Sequence, residues 1–197
     1  IHDRTAAKVF GESSGLGKHE LRRRAKIINY ALLYGKTAFT LSKDIGVTKE
    51  AAQEFIEAYF AGFPKVRAYI DSTVQHARDT GVVSTLFGRR RLVPDLNSNN
   101  GQIRSRAERE TVNMPIQGTA ADILKRAMID VARELESRRL HTRMILTVHD
   151  ELLFEAPEEE ASAAAELVRE AMEGAVALHV PLTVDVGTAD NWRDAKG

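Results

Sequence analysis

The stretch MILTVHDELLFEAP, residues 144–157, sets three polar side chains between two short apolar runs. Such runs on either side of a polar centre predict two antiparallel strands joined by a tight turn. His149, Asp150 and Glu151 form that centre. Because Asp is a common turn residue, an ordinary hairpin turn is one interpretation. The other is a hairpin tip that presents carboxylate oxygens to a hard divalent cation.

Composition bounds the class of protein. The chain has 197 residues and a formal net charge of zero. Residues 1–143 contain 25 Lys and Arg against 16 Asp and Glu, a net charge of +9, whereas residues 144–197 contain 3 against 12, a net charge of −9. This asymmetry indicates either a basic binding surface in the longer part or solvated helix faces.

The sequence lacks cysteine, a long apolar run and an initiating Met. No cysteine is present, which excludes disulfides and thiolate metal sites and fits a cytoplasmic protein. No apolar run is long enough for a membrane span, and no signal peptide is seen. The chain begins at Ile1, inside a helical pattern, so we expect it to be a fragment of a longer protein.

Helical periodicity dominates the rest of the sequence. We expect the likeliest seam between domains at residues 97–101, and a long helix from Arg104 to Arg139 that Pro115 kinks or splits. The other predicted elements are a helix ending near Gly35, helices that begin at Thr48 and Pro64, a hairpin about Gly88, an acidic helix over residues 157–174 with its glutamates in the first turn, and a final strand over residues 180–187.

The stretch RRRAKIINYALLYG, residues 22–35, carries Arg22, Lys26, Tyr30 and Tyr34 at four-residue spacing. On a helix these side chains share one broad face, and Arg22 and Tyr30 lie about 12 Å apart along the axis. That is roughly the distance from a triphosphate tail to its base. Cations hold phosphates and aromatic rings stack on bases, so the face suits a nucleotide; a plain basic solvent face is the alternative.

A second set of polar residues follows the same spacing in RAERETVNMPIQG, residues 106–118. Arg109, Asn113 and Gln117 fall on one side of the predicted long helix. Asn and Gln donate hydrogen bonds to the minor-groove acceptors that all base pairs share. The pattern therefore indicates contact with a duplex without sequence selection, or else only helix surface and caps.

A two-metal site would need carboxylates from at least two elements. Asp150 supplies one. Asp185 lies in a predicted strand with routine alternation, and Asp3 lies at the start of the chain. Neither is a convincing second ligand.

Together these motifs resemble family A DNA polymerases, the bacterial DNA polymerase I group. RRRAKIINYALLYG is similar to motif B of that family and VHDE, residues 148–151, to motif C. TLFGRRRLVPD, residues 85–95, and NMPIQGTAADILKRAM, residues 113–128, are also typical of it. The resemblance extends from residue 1 to residue 192.

The resemblance implies roles for single residues. Arg22 and Lys26 would bind the incoming triphosphate, with Lys26 also a candidate proton donor to the leaving pyrophosphate. Tyr30 would pack on the sugar and base of the nucleotide, and Tyr34 would lie near the templating position. The remaining assignments are the minor-groove residues Arg109, Asn113 and Gln117, the primer-end contact His149, the metal ligand Asp150 and its supporting neighbour Glu151.

The implied fold class is α+β and helix-rich, with fingers helices in residues 1–100 and, in residues 101–197, part of an antiparallel palm sheet that includes the carboxylate-bearing hairpin. The family's motif A strand, which reads much like DYSQIELR, would precede residue 1, and the thumb and exonuclease domains are also absent. Where relatives usually have Gly, this chain has Ala31, whose methyl we expect to crowd the templating side.

The implied activity is template-directed transfer of deoxynucleotides to a primer, with two Mg²⁺ ions, primer–template DNA and deoxynucleoside triphosphates as partners, and no membrane. We expect a monomer that is inactive by itself because motif A is missing. A phage-type single-subunit RNA polymerase fragment is an alternative, which HDE and NMPIQGTAAD disfavour. A module that binds nucleic acid or nucleotide without chemistry is another.

Overall fold

The computed structural model describes residues 1–10 and 17–195. The chain forms two compact units, Ile1–Ile116 and Gln117–Gly197. Among its described residues the first contains five complete α-helices, a small hairpin, a short 3-10 turn and the first part of a sixth helix, and the second is built around a second hairpin. The α+β, helix-rich fold class predicted from the sequence is confirmed.

The elements are described in chain order. They are α1 (His2–Phe10), α2 (Lys18–Leu33), α3 (Ala38–Ile45), α4 (Lys49–Gly62), α5 (Pro64–Thr80), β1 (Val82–Ser84), β2 (Arg90–Leu92), a 3-10 turn (Pro94–Asn97), α6 (Gly101–Ser137), β3 (Arg143–Val148), β4 (Glu151–Glu155), α7 (Ala161–Gly174) and α8 (Trp192–Ala195). In residues 1–10 and 17–195 no helix combines the length and apolar character needed to cross a bilayer.

The main core of the first unit gathers apolar side chains from α1 to α4. Ile28 of α2 and Leu41 of α3 have no exposed surface, and Tyr59 of α4 is 4% exposed. Burying one such aliphatic side chain typically contributes about 1.5–3 kcal/mol. The core therefore holds α2 through one face only and leaves its opposite face at the surface.

Local signals in the sequence set the ends of these helices as predicted. The Thr48 hydroxyl accepts a hydrogen bond from the Ala51 amide at 3.2 Å, and Pro64 occupies the first turn of α5, where its missing N–H costs nothing. Gly35, Gly46 and Gly81 have φ values of 66°, 68° and 74° just after α2, α3 and α5. These left-handed positions favour glycine.

The predicted hairpin about Gly88 is confirmed as β1 and β2, with Val82 opposite Leu92. Val83, Val93 and Leu96 share a buried cluster with Ala77 of α5 and Ala107 of α6. This cluster ties the start of α6 to the first unit. The two compact units divide after Ile116, beside Pro115.

In the second unit, α6 and α7 pack through Val131, Leu135, Leu167 and Val168. Pro115 lies inside α6 without ending it. The helix ends with Arg139 at φ 54°, while the amides of Leu140 and Arg139 donate to the carbonyls of Leu135 and Glu136. This is a Schellman ending, which normally takes glycine at the left-handed position.

Two expectations near the end of the chain were wrong. Residues 180–187 form no strand; the Val184 amide instead donates to the Glu173 carboxylate at 2.9 Å. The acidic helix begins at Ala161, so its glutamates precede the first turn. Glu160 is the residue that precedes α7, and its carboxylate contacts the start of β3 instead of the first turn of the helix.

Glu160 joins the start of α7 to the start of β3. Its carboxylate accepts hydrogen bonds from the His141 amide at 2.9 Å, the Thr142 amide at 3.0 Å and the Thr142 hydroxyl at 2.9 Å. The His141 amide, with the His141 ring and the two Thr142 donors, lowers the pKa of Glu160 to about 2 from an ordinary 4.5. The ionised form therefore stabilises the fold of the second unit.

Because the pKa is lowered on folding, the stabilisation by Glu160 is complete above about pH 4.5 and is lost as the pH falls towards 2. We expect Glu160→Gln to lower the urea midpoint of the second unit at pH 6, and the difference from the unchanged protein to shrink steadily below pH 4.5. The fluorescence of Trp192, the only tryptophan, reports the transition. Glu158→Gln, an exposed neighbour, is the matched control and should show no such pH-dependent difference.

Candidate functional site

Four residues of the first unit form an exposed row, which we name the α2 column: Arg22, Lys26, Tyr30 and Tyr34. The Tyr30 and Tyr34 side chains remain 48% and 40% exposed although both are aromatic. Their rings lie nearly parallel, with centroids 6.4 Å apart and an interplanar angle of 10°. The structure thus brings together the cations and rings that the sequence places on one face, with Tyr34 as the residue that caps the helix.

The opposite face of α2 explains why the column is exposed. Ala25 and Ile28 have no exposed surface and Leu32 is 3% exposed, all of them turned into the first-unit core. Residues four apart in a helix lie about 40° apart around its axis, so a buried row fixes the direction of the row opposite it. The packing of this opposite face consequently keeps the cations and rings of the column at the surface.

Ala31 does not lie where the sequence suggested. It is 3% exposed and belongs to the buried cluster with Ile28 and Leu41. Its methyl group therefore packs into the core of the first unit, and the expected crowding of the templating side was wrong. The register of the helix decides this: position 31 follows Tyr30 by about 100°, which turns it inward.

A buried polar group joins α1 to the middle of α2. Asn29 is 7% exposed, and its side-chain amide lies 3.0 Å from the Thr5 hydroxyl and 3.0 Å from Nδ1 of His2. The His2 ring in turn lies 6.1 Å from the ring of Tyr30. Buried polar groups need such partners, so this network fixes the first turn of α1 beside the column.

The first turn of α1 also adds charged groups that the sequence analysis did not assign to this face. The Arg22 guanidinium donates a hydrogen bond to the Asp3 carboxylate. Burial and the positive charges of Arg22 and Lys26 lower the pKa of the His2 imidazole. Helical spacing cannot show these neighbours, because α1 and α2 meet only in three dimensions.

Arg109 lies against the end of α2 within the first unit. A Cβ atom added to Gly35 would come 2.7 Å from Cγ of Arg109, closer than carbon atoms can approach. Gly35 also has a φ of 66°. The glycine therefore both ends α2 and makes room for the side chain of Arg109, a second reason for glycine that the motif alone does not reveal.

Helix α6 carries all three residues of the second predicted set. Arg109 and Asn113 belong to the first unit and Gln117 is the first residue of the second. Arg109 and Gln117 are exposed and Asn113 is half-buried. The three residues lie at four-residue intervals along this one helix, with Asn113 the least exposed of them.

The hairpin of the second unit has a two-residue turn. Val148 pairs with Glu151, so only His149 and Asp150 make the connection between β3 and β4. His149 has a φ of 56°, in the left-handed region. A positive φ at the first position of a two-residue turn is usual for glycine, and strain at such a position commonly marks a functional site.

Both carboxylates stand at the tip of this hairpin. Asp150 is exposed and Glu151 is half-buried at the start of β4. Within the described residues, no three His, Cys, Asp or Glu side chains are grouped closely enough to hold a metal. Mg²⁺ is often bound by one or two carboxylates together with phosphate oxygens and water, so the tip fits one part of such a site.

Strand β3 leaves apolar side chains at the surface of the second unit. Ile145 is 55% exposed and Leu146 is 46% exposed. The pairing shifts between Met144 and Leu146, which makes Ile145 the extra residue of a β-bulge. Two adjacent aliphatic residues of β3 thus stay exposed on the strand that leads to the carboxylates.

We expect Gly35→Ala to lower the free energy of unfolding by about 2–3 kcal/mol, because it combines a left-handed backbone, which costs about 1–2 kcal/mol, with a clash against Arg109. Gly46→Ala is the matched control, since Gly46 has nearly the same φ and nothing within 4 Å of the added Cβ. Urea denaturation of both variants checks this. If both variants lose the same free energy of unfolding, the side chain of Arg109 moves away from the added methyl group without cost.

Comparisons with known proteins agree with these features. The family described as DNA polymerase family A matches residues 1–194. DNA polymerase I of Geobacillus stearothermophilus is 47% identical over 196 residues, and the thermostable DNA polymerase I of Thermus aquaticus is 49% identical; both alignments cover the whole chain and 22% and 23% of those proteins.

The structural comparison points the same way. The polymerase domain of Pol1 from M. smegmatis, in complex with DNA primer-template and dNTP, superposes with a TM-score of 0.92 and 43% identity, over the whole chain and 35% of that structure. The chain thus spans less than a quarter of the curated relatives named here. From the match across almost its full length, the chain belongs to DNA polymerase family A.

Proposed function

We propose that the chain forms the nucleotide-binding and motif C part of a template-directed DNA polymerase, which transfers a deoxynucleotide from its triphosphate to a primer 3′ end. The observation that carries the proposal is the α2 column, in which two cations and two exposed rings follow one another on a single helix face. The relative from M. smegmatis, solved with primer-template and dNTP, supports the same partners.

The column suits a nucleoside triphosphate from end to end. Arg22 and Lys26 bind phosphate oxygens through charge-assisted hydrogen bonds. About 12 Å further along the helix than Arg22, Tyr30 packs against the sugar and base, and Tyr34 lies towards the templating base. Lys26 also has a proton to give to the leaving pyrophosphate, which makes it both a binding and a catalytic residue.

The exposed polar groups of α6 are assigned to the primer–template duplex. Arg109, Asn113 and Gln117 donate hydrogen bonds to minor-groove acceptors, which occur at every base pair and so check pair geometry without selecting sequence. His149, at the strained turn, contacts the primer end. Phosphate contacts by the basic residues of 1–143 make this binding dependent on salt concentration.

The hairpin tip is assigned to the metal centre. Asp150 ligates Mg²⁺ and Glu151 supports it, while a further carboxylate comes from another strand. The two Mg²⁺ ions that such a site would hold would supply the charge that activates a primer hydroxyl and stabilises a leaving pyrophosphate. The exposed Ile145 and Leu146 of β3 offer an apolar surface on which the strand with that further carboxylate can pack.

The subdomain and cellular assignments are also part of the proposal. Residues 1–100 correspond to fingers and residues 101–197 to part of the palm. The protein acts as a monomer in the cytoplasm. By itself the 197-residue chain does not extend a primer. A two-metal site needs carboxylates from at least two elements, and the Asp150–Glu151 pair belongs to one.

A chimaeric polymerase tests the central assignment. The chain replaces the matching 196 residues of the Geobacillus stearothermophilus enzyme, to which it is 47% identical. We expect the chimaera to extend a primer and Asp150→Asn to reduce the rate by at least a thousandfold with duplex binding nearly unchanged, because the change removes a ligand's charge and keeps its shape. Single-turnover extension and duplex binding are measured together.

Asp185→Asn is the control, since Asp185 is another exposed acidic residue of the second unit. It should retain the rate of the unchanged chimaera. If Asp150→Asn also retains that rate, the hairpin tip is an ordinary turn. Extension by the 197-residue chain alone would contradict the assignment of only one carboxylate element to it.

The Tyr30 hydroxyl yields a prediction about sugar selection. In this family the position is commonly Phe or Tyr, a choice linked to sugar discrimination. A dideoxynucleotide lacks the 3′-hydroxyl that orders its own triphosphate, and the Tyr30 hydroxyl supplies a substitute hydrogen bond. Since hydrogen bonds to charged groups contribute about 1.5–3 kcal/mol, we expect Tyr30→Phe to lower kcat/KM for dideoxynucleotides by about ten- to a hundredfold.

The measurement compares kcat/KM for a dideoxy and a deoxy triphosphate in the chimaera. The deoxynucleotide value should change little, and Tyr34→Phe, which removes the neighbouring hydroxyl, should leave the ratio unchanged. An unchanged ratio in Tyr30→Phe would mean that this ring only packs against the nucleotide.

A further inference from the structure

The guanidinium of Arg22, at the phosphate end of the α2 column, already has an anionic partner within the chain. Nη1 of Arg22 donates to Oδ2 of Asp3. This is a single contact, whereas an Arg–carboxylate pair at its strongest uses two parallel hydrogen bonds. Both side chains remain about half exposed, at 52% and 55%. A triphosphate that approaches from solvent can therefore replace Asp3 as the partner of Arg22.

The position of Asp3 is set by the fold and not by this ion pair. Its neighbour His2 and, half a turn further along α1, Thr5 both contact the buried amide of Asn29. These contacts hold the first turn of α1 against α2, so Asp3 lies over the column whether or not Arg22 is paired. In the described part of the chain no ion pair involves Lys26, so the carboxylate acts on one of the two cations.

We propose that Asp3 is a built-in competitor of the substrate: its carboxylate occupies Arg22 in the free protein, and the triphosphate must displace it to bind. The inference rests on the proposed nucleotide-binding function of the column. No bond is made or broken; one anionic partner of the guanidinium replaces another. After the pyrophosphate leaves, Asp3 can return to Arg22, which weakens the hold on any phosphate that remains.

The size of the effect follows from the exposure of the pair. Exposed ion pairs contribute little to stability, so removal of Asp3 leaves the fold intact. For a ligand that needs Arg22, however, the pair is a competing equilibrium, and the carboxylate also repels the phosphates. Together these effects amount to about a three- to tenfold weakening of triphosphate binding.

Titration calorimetry of the 197-residue chain with dATP tests the inference. We expect Asp3→Asn to lower the dissociation constant about three- to tenfold, and Asp3→Glu, which keeps the charge, to stay within about twofold of the unchanged chain. Glu50→Gln, which removes an exposed negative charge from α4 in the same unit, is the control for net charge and should change nothing. Adenosine, which lacks phosphates, should bind all variants alike.

Arg22→Gln separates failure of this inference from failure of the proposed function. If dATP binds the unchanged chain no more tightly than Arg22→Gln, the column is not the phosphate site and both fail. In a second outcome, binding depends on Arg22 while Asp3→Asn leaves the dissociation constant for dATP unchanged, or changes it only as much as Glu50→Gln does. That result would show that Asp3 does not compete with the triphosphate, and the column would remain the proposed phosphate site. A lower unfolding midpoint with unchanged binding would make Asp3 a structural link between α1 and α2 only.

Discussion

The burial of one face of α2 is the constraint on which the first unit depends. Ile28 is completely enclosed, and the residues one turn before and after it, Ala25 and Leu32, face the same core. Because the helix is rigid, this apolar row determines where Arg22 and Tyr30 stand on the other side. One face of α2 thus packs into the core and stabilises the helix. The other face leaves the cations and rings at the surface, where they can contact a ligand.

A different device positions the carboxylates of the second unit. Only two residues connect Val148 to Glu151, so the turn is tight. His149 in this turn has a left-handed conformation, which costs free energy for a residue other than glycine. Glu160 strengthens the base of the same hairpin by accepting three hydrogen bonds from Thr142 and the His141 amide. The tip is therefore both strained and well anchored, which suits a site that must hold charge at a fixed point.

Periodicity and helix-end signals made much of this structure predictable. The alternation around residues 144–157 predicted the hairpin, and four-residue spacing predicted the exposed column, because both patterns are local consequences of strand and helix geometry. Helix ends at Gly35 and Thr48 were equally predictable, since left-handed glycines and hydroxyl caps act within a few residues.

The features that the sequence did not predict are contacts between elements distant in sequence. The pairing of Asp3 with Arg22 and the approach of Arg109 to Gly35 depend on how helices pack, which no local pattern records. Residues 180–187 alternate like a strand, yet alternation cannot supply a partner strand, and in the structure a side chain satisfies the Val184 amide. Glu160 directly precedes α7, yet its carboxylate accepts hydrogen bonds from the backbone amides of His141 and Thr142, which lie far from it in sequence.

We propose that the exposed face of α2 receives a nucleoside triphosphate. The most direct measurement is an NMR titration of the ¹⁵N-labelled 197-residue chain with dATP, with shift changes mapped onto the sequence. We expect the largest changes on the amides of residues 22–35 and of the adjoining first turn of α1. Changes concentrated in α7 or in the hairpin β1–β2, with residues 22–35 unaffected, would contradict it.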